Sequence, residues 1–513
     1  MSTRNAWFVA CGFAAVAVVL VVVASAHGIG LTPDSGEYLF GAKHLAATGE
    51  YRALSGDWQS TFPVGFPALV AVVHLLGADV ETAAVIVNAL AIAALVLVTF
   101  AILWRYLRST VVVFATLGVV TIAPPLIANG STAWSEPLFI AVTMVFLLTL
   151  TSALAAPALR VQSLCVAGLV GGATVLVRYP GLSLLPAGVL AIVLVAWHRR
   201  VPLGHAAARV GAFAATFAVI PASWMLRNVL HGHAMTGVHG DPVKGLLSNT
   251  KVIAANTTGF LLPDSIPWPA RVVLVVAVVG GLLALVARRA SPGIVVVTSG
   301  CVVGGYLAFC AISASLAWAD VTPRVLSPVV APTIVLLGAL VDQVVARSST
   351  RPVLALVVLG AVALGGLFAW RTADLVHDRA EHGYGFATDV WQDSPVLAAV
   401  RRTDPDALIY TTSPSATWFV TGAHPVRRWP IATSDLRGTP DVDDQDEFVR
   451  RLRCLPGGEA YLLHLDRSAD ERRFLPRSAL ADDVDLERVA TAPDGTLWLA
   501  HAHGTRKSVS CPE

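Results

Sequence analysis

Charge is what this sequence has least of. Lys, Arg, Asp and Glu together make up 14% of its 513 residues, where soluble globular chains carry roughly 25%. Apolar residues reach 55% and the mean hydropathy is +0.68, which excludes a cytosolic enzyme, a disordered protein and a nucleic-acid binder. Cysteine is also sparse, at six, and Cys11, Cys165, Cys301 and Cys310 fall inside apolar runs, where a thiol packs as a small core residue. Walker, Rossmann, zinc-protease and nucleophile-elbow motifs are missing from the contexts that each would need. The formal net charge of +2 says less than where the basic residues stand relative to the apolar runs.

Those runs are what the sequence has in abundance. Crossing roughly 30 Å of hydrocarbon at 1.5 Å per residue takes about 20 mostly apolar residues with every backbone group paired internally. Runs of this kind lie near residues 6–26, 82–103, 110–128, 137–156, 161–177, 181–197, 206–226, 270–287, 293–316, 325–346 and 352–370. They predict an α-helical polytopic membrane protein of about eleven spans. Arg4 ahead of the first run and Ala24-Ser25-Ala26 after it also imitate a cleavable signal, although the run is longer than a typical signal core; the next segment leaves the cytoplasm either way. Residues 63–76, with Pro67 inside, are too short to cross and predict a helix at the outer interface, with Phe62 and Phe66 as anchors. With that segment outside the count, Arg105, Arg108, Arg160, Arg199, Arg200, Arg209, Arg288, Arg289, Arg347 and Arg351 all share the side of Arg4, as the positive-inside rule requires. The N-terminus is then cytoplasmic and the membrane the plasma membrane. Asp34, Glu37, Asp57, Glu136, Asp241, Asp264 and Asp320 emerge on the opposite side.

From Arg371 the composition becomes that of a soluble domain, which divides the chain into a membrane module, 1–370, and an extracytoplasmic α/β domain, 371–513. Residues 407–411, 459–464, 484–491 and 496–501 read as strands, 395–402 and 445–453 as helices, and Pro493-Asp494-Gly495 as the turn of a closing hairpin. Cys454 and Cys511 both fall in this exported domain and are disulfide candidates.

Several polar constellations fall on the outer side. In the first outer loop, Thr32-Pro33-Asp34-Ser35-Gly36-Glu37-Tyr38 places Asp34 and Glu37 three apart, on one face of a helix starting at Pro33. Asp34 suits either a cap there or a general base standing at the membrane interface. Glu136 stands before Pro137 at a helix start that Ser135 can cap. Arg178, Arg227 and Arg324 mark the outer ends of spans, where each can snorkel to lipid phosphates, or where together they form a site for an anionic headgroup. The loop after Arg227 contains His231, His233, His239 and Asp241, a set compatible with a divalent cation and equally with a solvated loop. In the tail, Trp418, Trp429, Arg427 and Arg428 suit either a carbohydrate acceptor or ordinary core and surface roles.

The order of these features resembles the GT-C superfamily of integral-membrane glycosyltransferases, in particular the bacterial branch similar to protein mannosyltransferases and the lipid A aminoarabinose transferase. The pieces that carry the resemblance are Asp34-Ser35-Gly36-Glu37-Tyr38, Phe62-Pro63-Val64-Gly65-Phe66-Pro67-Ala68-Leu69 and Ser135-Glu136-Pro137-Leu138. Arg178-Tyr179-Pro180-Gly181, Trp224-Met225-Leu226-Arg227-Asn228 and Pro323-Arg324-Val325-Leu326-Ser327-Pro328 complete the set. Where relatives often carry Arg-Tyr-Leu, this chain has Arg324-Val325-Leu326. The resemblance implies an inverting transferase at the outer membrane face, moving a sugar, mannose or arabinofuranose, from a polyprenyl-phosphate donor to a glycan, lipid or protein acceptor. By that analogy Asp34 is the base, with Glu37 and Glu136 as further acidic members. Arg178, Arg227, Arg324 and Lys43 become candidates for the donor phosphate, and Tyr38, Tyr179 and Trp134 for the acceptor. The alternatives are a flippase for a lipid-linked sugar and a non-enzymatic envelope assembly protein; nearly charge-free spans with no internal repeat weigh against the flippase.

Overall fold

Each apolar run of the sequence folds as helix, because in lipid only a helix satisfies every backbone donor and acceptor locally. The computed structural model describes residues 2–237, 242, 244–287, 293–317, 321–346, 351–422, 424–432, 442–467, 474–480 and 484–503. The chain up to the end of its apolar runs forms α1 (Thr3–Ala24), α2 (Pro33–Thr48), α3 (Gly65–Leu75), α4 (Val80–Tyr106), α5 (Thr110–Thr121), α6 (Pro124–Gly130), α7 (Glu136–Ala155) and α8 (Val161–Val175). It continues with α9 (Leu184–His198), α10 (Leu203–Leu230), α11 (Leu246–Leu261), α12 (Trp268–Ala287), α13 (Ile294–Leu316), α14 (Pro323–Leu326), α15 (Val330–Val345) and α16 (Arg351–His382). Among the described residues nine helical segments are long and apolar enough to span a membrane, and the pair α5 and α6, bent by 45°, makes a tenth. Helices α3 and α8 are apolar but shorter. The chain is a multi-pass membrane protein.

Two compact units share the chain: Met1–Ala26 with Ser60–Glu381, and His27–Gln59 with His382–Glu513. In the first, side chains fix the helix starts. The Asp79 carboxylate accepts from the amides of Glu81 and Thr82 at the head of α4. Buried Asp342 on α15 accepts from the amides of Arg108 and Ser109, at 3.1 and 2.8 Å, and so fastens the turn between α4 and α5. Small residues let helices approach: Gly168, Gly171 and Gly172 of α8 lie directly against Phe213 and Phe217 of α10, the small-residue packing that membrane helices use where no hydrophobic drive exists between them.

The second unit is built on a five-stranded sheet in the order β2-β1-β3-β5-β4, with β1 (Ile409–Thr411), β2 (Val426–Arg428), β3 (Glu459–Leu465), β4 (Val484–Ala492) and β5 (Gly495–Ala502). Strand β1 pairs parallel with β2 and β3, while β3, β5 and β4 pair antiparallel. Around it run α17 (Asp389–Gln392), α18 (Pro395–Val400), α19 (Pro414–Thr421), α20 (Val442–Cys454) and α21 (Arg477–Leu480). Four strands and two helices stand where the sequence predicts them; β2, α17, α19 and α21 are additional. The core lies around Tyr410, Trp429, Phe448, Leu462 and Trp498.

Helix α2 belongs to this unit. Leu31 is bridged to the 384–386 turn, donating to the Tyr384 carbonyl at 3.1 Å and accepting from the Phe386 amide at 2.8 Å. His27 Nε2 lies 3.0 Å from Asp389 Oδ1. Pro33 opens α2, and Gly49, at φ +77, ends it in the left-handed conformation that a residue without Cβ adopts most easily.

Candidate functional site

In the membrane unit, the candidate residues converge on the first turn of α7. Pro137 at the second helical position restricts the backbone to a helix start, and Glu136 immediately before it is fully buried. Glu136 Oε1 lies 2.6 Å from Arg178 Nη1 and 2.5 Å from Arg324 Nε, and its Oε2 accepts from Arg324 Nη2 at 3.5 Å. Arg178 precedes the short 3-10 turn Tyr179–Ser183 and also donates to Ser135 Oγ at 3.2 Å. Arg324, in α14, stacks its guanidinium 4.1 Å from the centre of the Trp134 ring. Both arginine side chains are largely buried, 15% and 19% exposed. Guanidinium remains charged at any pH a protein survives, so the cluster sets two fixed cations against one carboxylate in a site of low polarity.

A second polar group lies beside it in sequence. The Tyr179 hydroxyl donates to the Ser60 carbonyl at 2.5 Å and accepts from Trp224 Nε1 and Asn228 Nδ2, both at 3.1 Å. Arg227 donates to Asn228 Oδ1 at 3.1 Å, with its guanidinium 4.9 Å from the Trp224 ring. Tyr179 and Arg227 therefore share partners on α10.

Three buried residues that sequence reasoning passed over hold the segment leading to Glu136. Asn88 of α4 donates to the Thr132 carbonyl at 2.7 Å. Arg379 of α16 donates to the Ala128 carbonyl, Ser131 Oγ and Thr132 Oγ1, at 2.7, 2.7 and 2.9 Å. Asn129 donates to Ser327 Oγ at 2.7 Å, tying the end of α6 to the residues that follow Arg324. An amide within an apolar span was the available signal for Asn88, since a polar group in lipid must find a partner.

In the second unit, Asp34 sits in the first turn of α2, partly buried. The turn is closed by Ser35, whose Oγ accepts from the Thr32 amide at 3.0 Å. Glu37, one turn on, accepts from the Leu54 amide at 3.1 Å and from Gln59 Nε2 at 2.9 Å. Burial pushes the Glu37 carboxyl above its ordinary range; the Leu54 and Gln59 hydrogen bonds pull it back in part, and the charges of Asp34 and Asp57 push it up further. Tyr38 is buried in this unit, 1% exposed. Exposed Lys43 lies 6.0 Å from the Trp418 ring. Trp429 is 2% exposed and packs edge-on against Trp498 in the sheet's core.

His231 and His233 follow α10, and among the described residues no three His, Cys, Asp or Glu side chains gather as metal ligands. Cys454 is disulfide-bonded. His239, Asp241, Arg288, Arg289, Asp320, Arg347 and Cys511 lie outside the described residues.

No family model matches the chain, and no curated protein matches it. Among solved structures it is similar to ArnT from Cupriavidus metallidurans in the apo state, with 16% identity and a TM-score of 0.64 over 97% of this chain and 98% of that one. ArnT from the same organism bound to undecaprenyl phosphate gives 15% identity and a TM-score of 0.63 over the full length of both chains. The arabinofuranosyltransferase AftD from Mycobacteria gives 15% identity and a TM-score of 0.50, over 99% of this chain and 42% of that one.

Proposed function

The chain has the GT-C fold, and we propose that it moves a sugar, mannose or arabinofuranose, from a polyprenyl-phosphate donor to an envelope acceptor at the outer face of the plasma membrane. The observation that carries this reading is the buried cluster of Glu136 with Arg178 and Arg324. Two guanidiniums against one carboxylate favour a further anion, and a phosphate monoester leaving a sugar is that anion. The similarity to an ArnT structure bound to undecaprenyl phosphate supports a lipid-carried phosphate.

Asp34 takes the proton of the acceptor hydroxyl while that oxygen attacks the anomeric carbon. The bond from the anomeric carbon to the phosphate oxygen breaks with inversion, and its electron pair leaves on the lipid phosphate. Arg178 and Arg324 stabilise the charge that develops there, an interaction strengthened by exclusion of water. Glu136 holds both guanidiniums in place, while Arg227 and Lys43 are secondary candidates for the phosphate. Trp134, its face occupied by Arg324, positions that arginine in this scheme. Tyr179 braces α10.

The test is purified protein in lipid with a panel of polyprenyl-phosphate sugars and crude envelope acceptors, following release of polyprenyl phosphate. Asp34→Asn is expected to bind donor normally and to lose transfer by two or more orders of magnitude, the usual size of a general-base effect. Near-normal turnover in that variant removes Asp34 from the role.

A further inference from the structure

We propose that the C-terminal domain is part of the catalytic apparatus itself: Ser415, at the start of α19, is a positioning residue that seats the first turn of α2 and with it Asp34. This rests on the reading of Asp34 as the base. The contact is direct. Ser415 Oγ donates to the Pro33 carbonyl at 2.9 Å, one residue before Asp34. Gly36, two residues after Asp34, is pressed against the same serine: a Cβ at this position would stand 2.5 Å from Ser415 Cβ and 3.2 Å from its Cα, and closer still to its Oγ. Asp34 therefore lies between two backbone positions fixed by one residue of α19, and Ser415 is itself buried, 7% exposed.

Two further contacts continue the seat along the helix. Phe40 meets Trp418 edge-on with ring centres 5.8 Å apart, and Lys43 lies over the same indole. The place in the sheet is also informative. Helix α19 leaves the carboxyl end of β1, the strand from which the chain steps to β2 on one side and later to β3 on the other. In open α/β sheets this reversal of strand order creates the crevice where ligands bind. Here the side chain at that edge reaches a helix of the same unit, so the domain's customary binding edge serves to hold α2.

General-base catalysis is sensitive to such a seat, because a misplacement of about 1 Å at a reacting group can lower a rate by around 100-fold. Gly36→Ala adds the Cβ that α19 has no room for and shifts the first turn of α2. It is expected to lower kcat per donor-binding site by about 10- to 100-fold, with the donor's Kd and the number of binding sites unchanged. Counting donor sites separates displacement from loss of folded protein. Gly36→Ala combined with Ser415→Gly removes the opposing Oγ and Cβ and should return kcat to within a few-fold of wild type. Ser415→Ala, which introduces no clash, loses only the bond to Pro33 and should reduce kcat a few-fold at constant Kd. Wild-type kcat in both Gly36→Ala and Ser415→Ala overturns the proposal, as does a double variant no faster than Gly36→Ala. Asp34→Asn in the same assay keeps the two readings apart: if it is active, the assignment of the base fails; if it is inactive while Gly36→Ala and Ser415→Ala are both normal, only the seat fails.

Discussion

Glu136→Gln is the perturbation that examines the buried cluster most directly. Wild-type Glu136 is fully buried, with one oxygen 2.6 Å from Arg178 and 2.5 Å from Arg324. Glutamine keeps the shape but removes the only negative charge within the triad, leaving two guanidiniums facing a neutral amide. Removing one partner of a buried ion pair destabilises by about 3–5 kcal/mol, a large fraction of a typical folding stability of about 5–15 kcal/mol. At about 2–4 °C per kcal/mol for a mid-sized domain, and less for a longer chain, the melting temperature should fall by on the order of 5 °C. A bound phosphate replaces the missing charge, so the variant should gain more from ligand than wild type does. At 100 times its Kd a ligand stabilises by about 2.7 kcal/mol, and each tenfold tightening at fixed concentration adds about 1.4 kcal/mol. The assay is thermal unfolding in detergent with and without undecaprenyl phosphate. An unchanged melting temperature without lipid, or a lipid-induced shift no larger than in wild type, refutes the assignment of Arg178 and Arg324 to the phosphate.

Three further expectations concern the surroundings of the site and the base. Glu37 has its folded pKa raised by burial, so the stability it contributes is full below its unfolded value and is lost as pH rises through the folded one. Glu37→Gln, whose oxygen can still accept from Leu54 and Gln59, should match wild type in acid and become relatively more stable as pH rises to 8; the opposite trend in melting temperature would exclude burial as the dominant influence. Arg379→Met leaves three acceptors around Ala128, Ser131 and Thr132 without their donor; at about 1–3 kcal/mol for each buried group unpaired, it should lower the melting temperature and slow transfer without touching donor or acceptor. An Arg379→Met protein as stable as wild type would show that this clamp is dispensable. Asp34→Asn should retain donor affinity as measured by lipid binding, and a loss of affinity equal to the loss of rate would point to a binding role instead.

What the sequence disclosed and what it hid divide along a physical line. Hydropathy and helix-start chemistry act over a few residues, so all eleven apolar runs, the start of α2 at Pro33 and the start of α7 at Glu136 are readable from sequence. Long-range pairing is not. Nothing local announces that Arg324 meets Glu136 across 188 positions, or that residues 27–59 pack with the C-terminal domain. Strand β2 is only three residues long and offers no alternation to detect. Arg379 escaped because the charged residues after Trp370 have the composition of a soluble tail, whereas α16 continues unbroken to His382.

The assembly of α2 with the C-terminal domain also sets an order of events during synthesis. His27 and Pro33 are made well before their partners Asp389 and Ser415, which lie 362 and 382 positions further on. At about 5–20 residues per second, the segment bearing Asp34 waits roughly 20–80 s before the chain that seats it exists. A ribosome that stalls or a message that ends early leaves a product with the aspartate but without its seat. If Ser415 seats Asp34 as proposed, competence then awaits synthesis of the C-terminal domain, whatever has already been threaded into the membrane.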